Sequence, residues 1–482
     1  AILAQGAPPP SPQSASLAAI QPLMAQRLLA SAQWLHASTH QRRLLLASPS
    51  QSACRGFSVR LPLRTAATTV SCSGARPPPL ALGAALGTTA AVWSAQRRLA
   101  ASKAAAAACD SVHPVTGAAP GPFPVGVTTV QLDDHSRKDP DGGPRSLQTE
   151  IWYPAADEAR EVPSNKYSEF LGRGASPEFI ARAEDSDAIG GYRAGLTIEE
   201  LDRTWQNLGK RDVRVREPVP GERWPVVIFS HGSGAFRASY VYFTEFLASH
   251  GFVVVACDHA GSSRYTILNG TVVKGGGARG EASQTDRPLD VLFLLDAVQR
   301  MAMGGDSRFA GRVDASCCAV TGMSFGGWTA ARVLDMKDDR VKAAVLHCPS
   351  LARGELTRVV DRPVMVMLGT EDTVIGAEGN SLCRDYFRRA RGPRFLVEVR
   401  KGGHVTFTSC EQYNAAYGSG IGPSRSLTEP GATYEPLSPG AAHAIVNSYT
   451  LAFLDVHVRG RHDRQAFLES NHFEEDIDYH AS

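Results

Sequence analysis

The feature that most constrains this chain is a rhythm of short apolar runs. They recur at Pro225–Ser230, Phe252–Cys257, Ser316–Thr321, Val341–His347, Pro363–Leu368 and Phe395–Val399, with helical stretches between them. Runs of this kind read as strands buried on both faces, and strands alternating with helices imply parallel pairing through right-handed crossovers. Upstream, Val125–Asp133 and Ser146–Tyr153, joined by a loop containing DPDGGPR, read as an antiparallel pair. The expected fold is therefore α/β: a mostly parallel central sheet with helices on both faces. Function is then expected in the loops beyond the strands' C-terminal ends. Residues 110–482 are enough for one such catalytic domain.

Composition separates this body from what precedes it. Residues 1–109 hold no Asp or Glu and ten basic residues, and are rich in Ala, Ser and Leu. Such a leader is expected to be a targeting segment of plastid or mitochondrial type, with the secretory pathway as the alternative. Within it, Pro77–Gln96 is uncharged over 20 residues and ends at Arg97 and Arg98, a length that permits membrane association. The chain has 50 Lys and Arg and 48 Asp and Glu, so removing the ten leader cations leaves the body acidic, at 40 against 48. An acidic body argues against nucleic acid as a partner. The nine cysteines include six in the body, none in paired C-x-x-C spacing. Neither a disulfide framework nor a zinc site is expected, and no metal or cofactor is called for.

Four of the strand-end loops carry residues with chemistry. After the strand SCCAVT comes Gly322-Met323-Ser324-Phe325-Gly326, followed by helical apolar spacing at Phe325, Trp328, Val333 and Leu334. A serine on such a strand-to-helix turn is held with its hydroxyl exposed, and small flanking residues let strand and helix approach. Ser324 is the candidate nucleophile. FSHGSGAFRASY, Phe229–Tyr240, follows the strand WPVVIFS, and its glycines bring backbone close to a bound group. The N–H groups of Ser233 and Phe325 are the candidate oxyanion donors. MLGTEDTVIG offers Asp372 as the carboxylate that orients a histidine, with Glu371 as runner-up and Glu355 next. KGGHVTFTS presents His404 behind two glycines, the candidate base.

With these residues in place the chain resembles the platelet-activating factor acetylhydrolases of the plasma, group VII phospholipase A2 type. GPFPVG at 121–126, IWYPA at 151–155, FSHGSGAFR at 229–237, LASHGFVV at 247–254 and SFGG at 324–327 carry the likeness. The resemblance implies an α/β-hydrolase that needs no metal and cleaves short or oxidised acyl groups from the sn-2 position of phospholipids. It carries the nucleophile to Ser324, the base to His404 and the oxyanion donors to Ser233 and Phe325. Two departures stand out. The family takes its acid from the strand after the nucleophile helix, where this chain reads KAAVLHCPS, so the acid moves to Asp372. The insert 174–218 is strongly polar where the family uses apolar helices to sit on lipid surfaces, so it reads equally as a lid. The alternative functions are a soluble carboxylester or polyester hydrolase and a non-catalytic binding protein on the same fold.

Overall fold

The computed structural model describes residues 119–172, 202, 207–354, 356, 360–409 and 423–482. The leader, its uncharged stretch 77–96 and most of the 174–218 insert lie outside them. Six strands run parallel at the centre: β4 (Trp224–Ser230), β5 (Val253–Cys257), β8 (Val313–Met323), β9 (Val341–His347), β10 (Val364–Gly369) and β11 (Arg394–Val399). Beside β5 lie β2 (Pro144–Pro154) and β1 (Val125–Lys138), antiparallel and in register from Val125 opposite Pro154. The order across the sheet is β14-β11-β10-β9-β8-β4-β5-β2-β1-β3, where β3 is Gly209–Arg211 and β14 is Ile477–Ala481.

Alternation along the strands explains the layers. In β4, Val227 and Phe229 enter one apolar core with helices α1 (Val241–Ser249) and α5 (Pro439–His457). Val226 and Ile228 enter the other with α2 (Ser283–Arg300), α3 (Phe325–Met336) and α4 (Gly376–Arg389). Side chains pointing alternately to opposite faces need apolar cover on both, and the continuous apolar runs supply it. Helix α5 starts where the chemistry predicts: Ser438 accepts from the Ala441 N–H at 3.4 Å, and Pro439 opens the first turn.

Further elements fall outside the strand rhythm of the sequence, among them the short antiparallel pair β12 (Ser424–Arg425) and β13 (Thr433–Tyr434). Near the end of the insert, Gly209–Arg211 pairs parallel with β1 and continues the sheet. Strand β14 adds an antiparallel edge beside β11. A hairpin of β6 (Tyr265–Leu268) and β7 (Thr271–Lys274) turns at Asn269 and Gly270, both with positive φ, as a tight two-residue hairpin requires. Among the described residues no helix is long and apolar enough to cross a membrane.

Candidate active site

β8 runs directly into α3, and Ser324 stands at the junction with φ 58° and ψ −116°. A non-glycine residue there is strained, and the surroundings hold it. The Ser324 N–H donates to the His347 carbonyl at 2.9 Å, and its own carbonyl accepts from Ser350 at 2.9 Å and Trp328 at 3.1 Å. The flanking glycines are steric necessities. A Cβ on Gly326 would lie 1.8 Å from the Ser230 carbonyl oxygen, and one on Gly322 would lie 2.4 Å from that of Gly326. Phe325 is the first residue of the helix, where a backbone N–H has no intrahelical acceptor.

The loops after β10 and β11 meet in the structure. His404 Nδ1 lies 2.7 Å from Asp372 Oδ2, and both residues are buried. The other carboxylate oxygen, Oδ1, accepts the N–H groups of Val374 at 2.9 Å and Ile375 at 3.0 Å. Burial alone raises the Asp372 carboxyl, but the His404 contact and these two amides prevail and hold it below the usual range. Loop proximity comes from small residues again, since a Cβ on Gly369 would lie 2.3 Å from the Gly402 carbonyl oxygen. The neighbouring Glu371 turns away. It accepts from the Leu427 and Ser426 groups, at 2.5 Å and 3.1 Å, and from Thr428, and so fastens the 426–428 segment. Glu355 lies outside the described residues.

Ser233 is exposed on the loop after β4, which Gly234 ties down by donating to the Ser262 carbonyl at 2.9 Å. The arginine of GAFR does not face this loop's open side. Arg237 is buried, donating to Asp258 Oδ2 at 2.8 Å, to Glu150 at 3.0 Å and to the Phe170 carbonyl at 2.9 Å. Its backbone N–H also binds Asp258, at 2.8 Å. The motif's cation thus anchors the loop to β2 and to the end of β5.

Sequence reasoning missed two groups beside these residues. Cys348 follows β9 with φ 39°, and its buried thiol lies beside Asp372. Burial, then the Asp372 charge, pushes that thiol well up. Cys348 Sγ, Asp372 and His404 are potential metal ligands, with their atoms within 4.8 Å of one another. Metal binding would require the thiolate that these surroundings disfavour, so the donor set suits a hydrogen-bonded relay better. The second group is a buried charge set on α2, Arg287 and Asp290, one helical turn apart on the face that packs against the sheet. Ionisable residues at apolar helical spacing were the available signal.

Comparisons with known proteins bear on the family likeness and the fold. Residues 200–271 match the family model described as platelet-activating factor acetylhydrolase, isoform II. The chain is 28% identical over 156 residues to the platelet-activating factor acetylhydrolase of Cavia porcellus, covering 27% of this chain and 36% of that one. It is 30% identical over 155 residues to the one from Bos taurus, covering 26% and 35%. The matches thus span about a third of the length of these curated relatives. Among solved structures, a ferulic acid esterase from Streptomyces cinnamoneus aligns with TM-score 0.54 and 26% identity, over 71% of this chain and 93% of that one. The chain therefore has the α/β-hydrolase fold and is similar, over part of its length, to the platelet-activating factor acetylhydrolases.

Proposed function

We propose that this chain is a serine ester hydrolase acting on the short sn-2 acyl ester of a phospholipid such as 1-alkyl-2-acetylglycerophosphocholine. The observation that carries the reading is the Asp372–His404 pair at 2.7 Å, on loops at the same sheet end as the strained Ser324 turn. With Nδ1 hydrogen-bonded to a carboxylate, the imidazole keeps its proton there and leaves Nε2 to accept one. His404 takes the Ser324 hydroxyl proton as Oγ attacks the ester carbonyl, and the Ser233 and Phe325 N–H groups receive the oxyanion. The proton passes to the departing alkoxide, and water then reverses these steps on the acyl enzyme. Asp372 stays ionised throughout and stabilises the imidazolium.

A second reading is a soluble carboxylester, favoured by the ferulic acid esterase likeness, which covers nearly all of that structure. Hydrolysis of sn-2 acetyl, short oxidised and long-chain phosphatidylcholines beside p-nitrophenyl esters separates the two. Turnover of the p-nitrophenyl esters with none of the phospholipids selects the carboxylester. Absence of fluorophosphonate labelling at Ser324 selects a non-catalytic protein. The leader is proposed to be a dispensable targeting segment.

A further inference from the structure

Two guanidinium groups converge on the side chain that follows the proposed nucleophile. The Arg353 guanidinium carbon lies 3.9 Å from the Phe325 ring centroid, and that of Arg287 lies 4.4 Å from it. They arrive from different elements. Arg287 comes from α2, and Arg353 from the short turn Leu351–Arg353 that begins beside Ser350, whose N–H binds the Ser324 carbonyl. Arg287 is fully buried and donates to Ser262 Oγ at 2.6 Å, to Ser230 Oγ at 3.1 Å and to the His231 carbonyl. All these acceptors are neutral. Neither arginine forms an ion pair among the described residues, and the Nε of each is buried without a hydrogen-bond partner.

Buried cations are normally paired, because removal from water is costly unless a negative charge and hydrogen bonds replace the lost hydration. A ring face compensates in part. Here two cations share one ring: burial, then the Arg353 charge, brings the Arg287 guanidinium down to about 9, and burial lowers that of Arg353. An incoming anion would relieve both the missing hydration and the like-charge repulsion. Arg353 is half-buried and Arg287 fully buried, so Arg353 is the member a solute can reach.

We propose that Arg353, backed by Arg287, binds an oxyanion carried on the substrate, and that this pair selects anionic esters over neutral ones. The inference rests on the ester-hydrolase reading and narrows its substrate class. Planar guanidinium donors suit either a phosphodiester or a carboxylate. Matched substrates distinguish the two sources. One arm compares 1-alkyl-2-acetylglycerophosphocholine with 1-alkyl-2-acetylglycerol. The other compares mono-p-nitrophenyl succinate with p-nitrophenyl butyrate. In one arm kcat/KM for the member that carries the oxyanion should exceed that of the member without it at least tenfold, and Arg353→Gln should collapse that ratio toward one. Arg353→Lys should restore part of it. Equal rates within both pairs, or an unchanged ratio in Arg353→Gln, overturn the proposal. Calorimetric titration of Ser324→Ala protein with inorganic phosphate and with succinate needs no turnover. Binding of either, lost in Arg353→Gln, upholds the anion site even if no ester is hydrolysed, and absence of binding by both removes it.

Discussion

Ser230, His259 and Asp290 form a second chain of serine, histidine and aspartate. Ser230 Oγ lies 2.9 Å from His259 Nε2, and His259 Nδ1 lies 2.9 Å from Asp290 Oδ2. By side-chain geometry it is as good a relay as the Asp372–His404 pair. The backbone and the surroundings differ. Ser230 ends a regular strand and is 1% exposed, whereas Ser324 sits on a positive-φ turn at 8%. The Ser230 hydroxyl also receives Arg287. Asp290 is gripped at both oxygens by Arg145, at 2.6 Å and 2.7 Å, which outweighs burial and keeps it ionised. Burial and the Arg287 charge drive His259 down to about 4, so it is a neutral hydrogen-bonding link. A relay becomes a catalyst when its serine has access to substrate and unpaired N–H donors beside it. Without these, the same three residues staple the ends of β4 and β5 to α2.

Substitutions in both sets test this contrast. The largest difference lies at the serines. Ser324→Ala should lower kcat by about 10⁶-fold, as for a triad serine elsewhere, and abolish fluorophosphonate labelling, whereas Ser230→Ala should still be labelled. Labelling at Ser230 would reverse the assignment. The aspartates come next. Asp372→Asn should lower kcat by about 10⁴-fold in a folded protein, while Glu371→Gln retains most activity. Asp290→Asn should instead cost stability, by less than the about 3–5 kcal/mol of a fully stranded charge, because buried Arg145 loses its two-oxygen partner and keeps only Asp139 at 3.3 Å and Asp286 at 3.4 Å, read as a shift in urea midpoint.

The histidines supply a pH test. A folded-state value near 4 for His259, against an ordinary 6.5, means the unfolded chain takes up the proton first. Stability is then complete above pH 6.5 and is lost as pH falls toward 4, by about 3 kcal/mol for this group. Urea unfolding at several pH values should show a shallower acid slope in His259→Gln than in the parent. The smallest effect is expected at Cys348. Removing the thiol beside Asp372 in Cys348→Ala should lower kcat by about two- to tenfold; no change would make that thiol a mere space filler.

Local pattern and tertiary contact contributed differently to this molecule. The six central strands start and end no more than three residues from their apolar runs, because strands covered on both faces must be apolar throughout. The Gly322 to Gly326 turn was legible too, because close approach of strand and helix admits no Cβ at either glycine. Strand β14 was harder to see: at an edge, Asp478 and His480 are tolerated, which breaks the apolar signal. Adjacent Glu371 and Asp372 look alike in sequence, and packing separates them, turning one toward Ser426–Thr428 and the other onto His404. The Arg237 anchor, the Ser230 relay and the Arg287–Arg353 pair join residues 21 to 87 positions apart. Periodicity reports which face of an element is buried. Which polar groups meet on that face depends on sheet order and loop closure, and so appears only once the chain is folded.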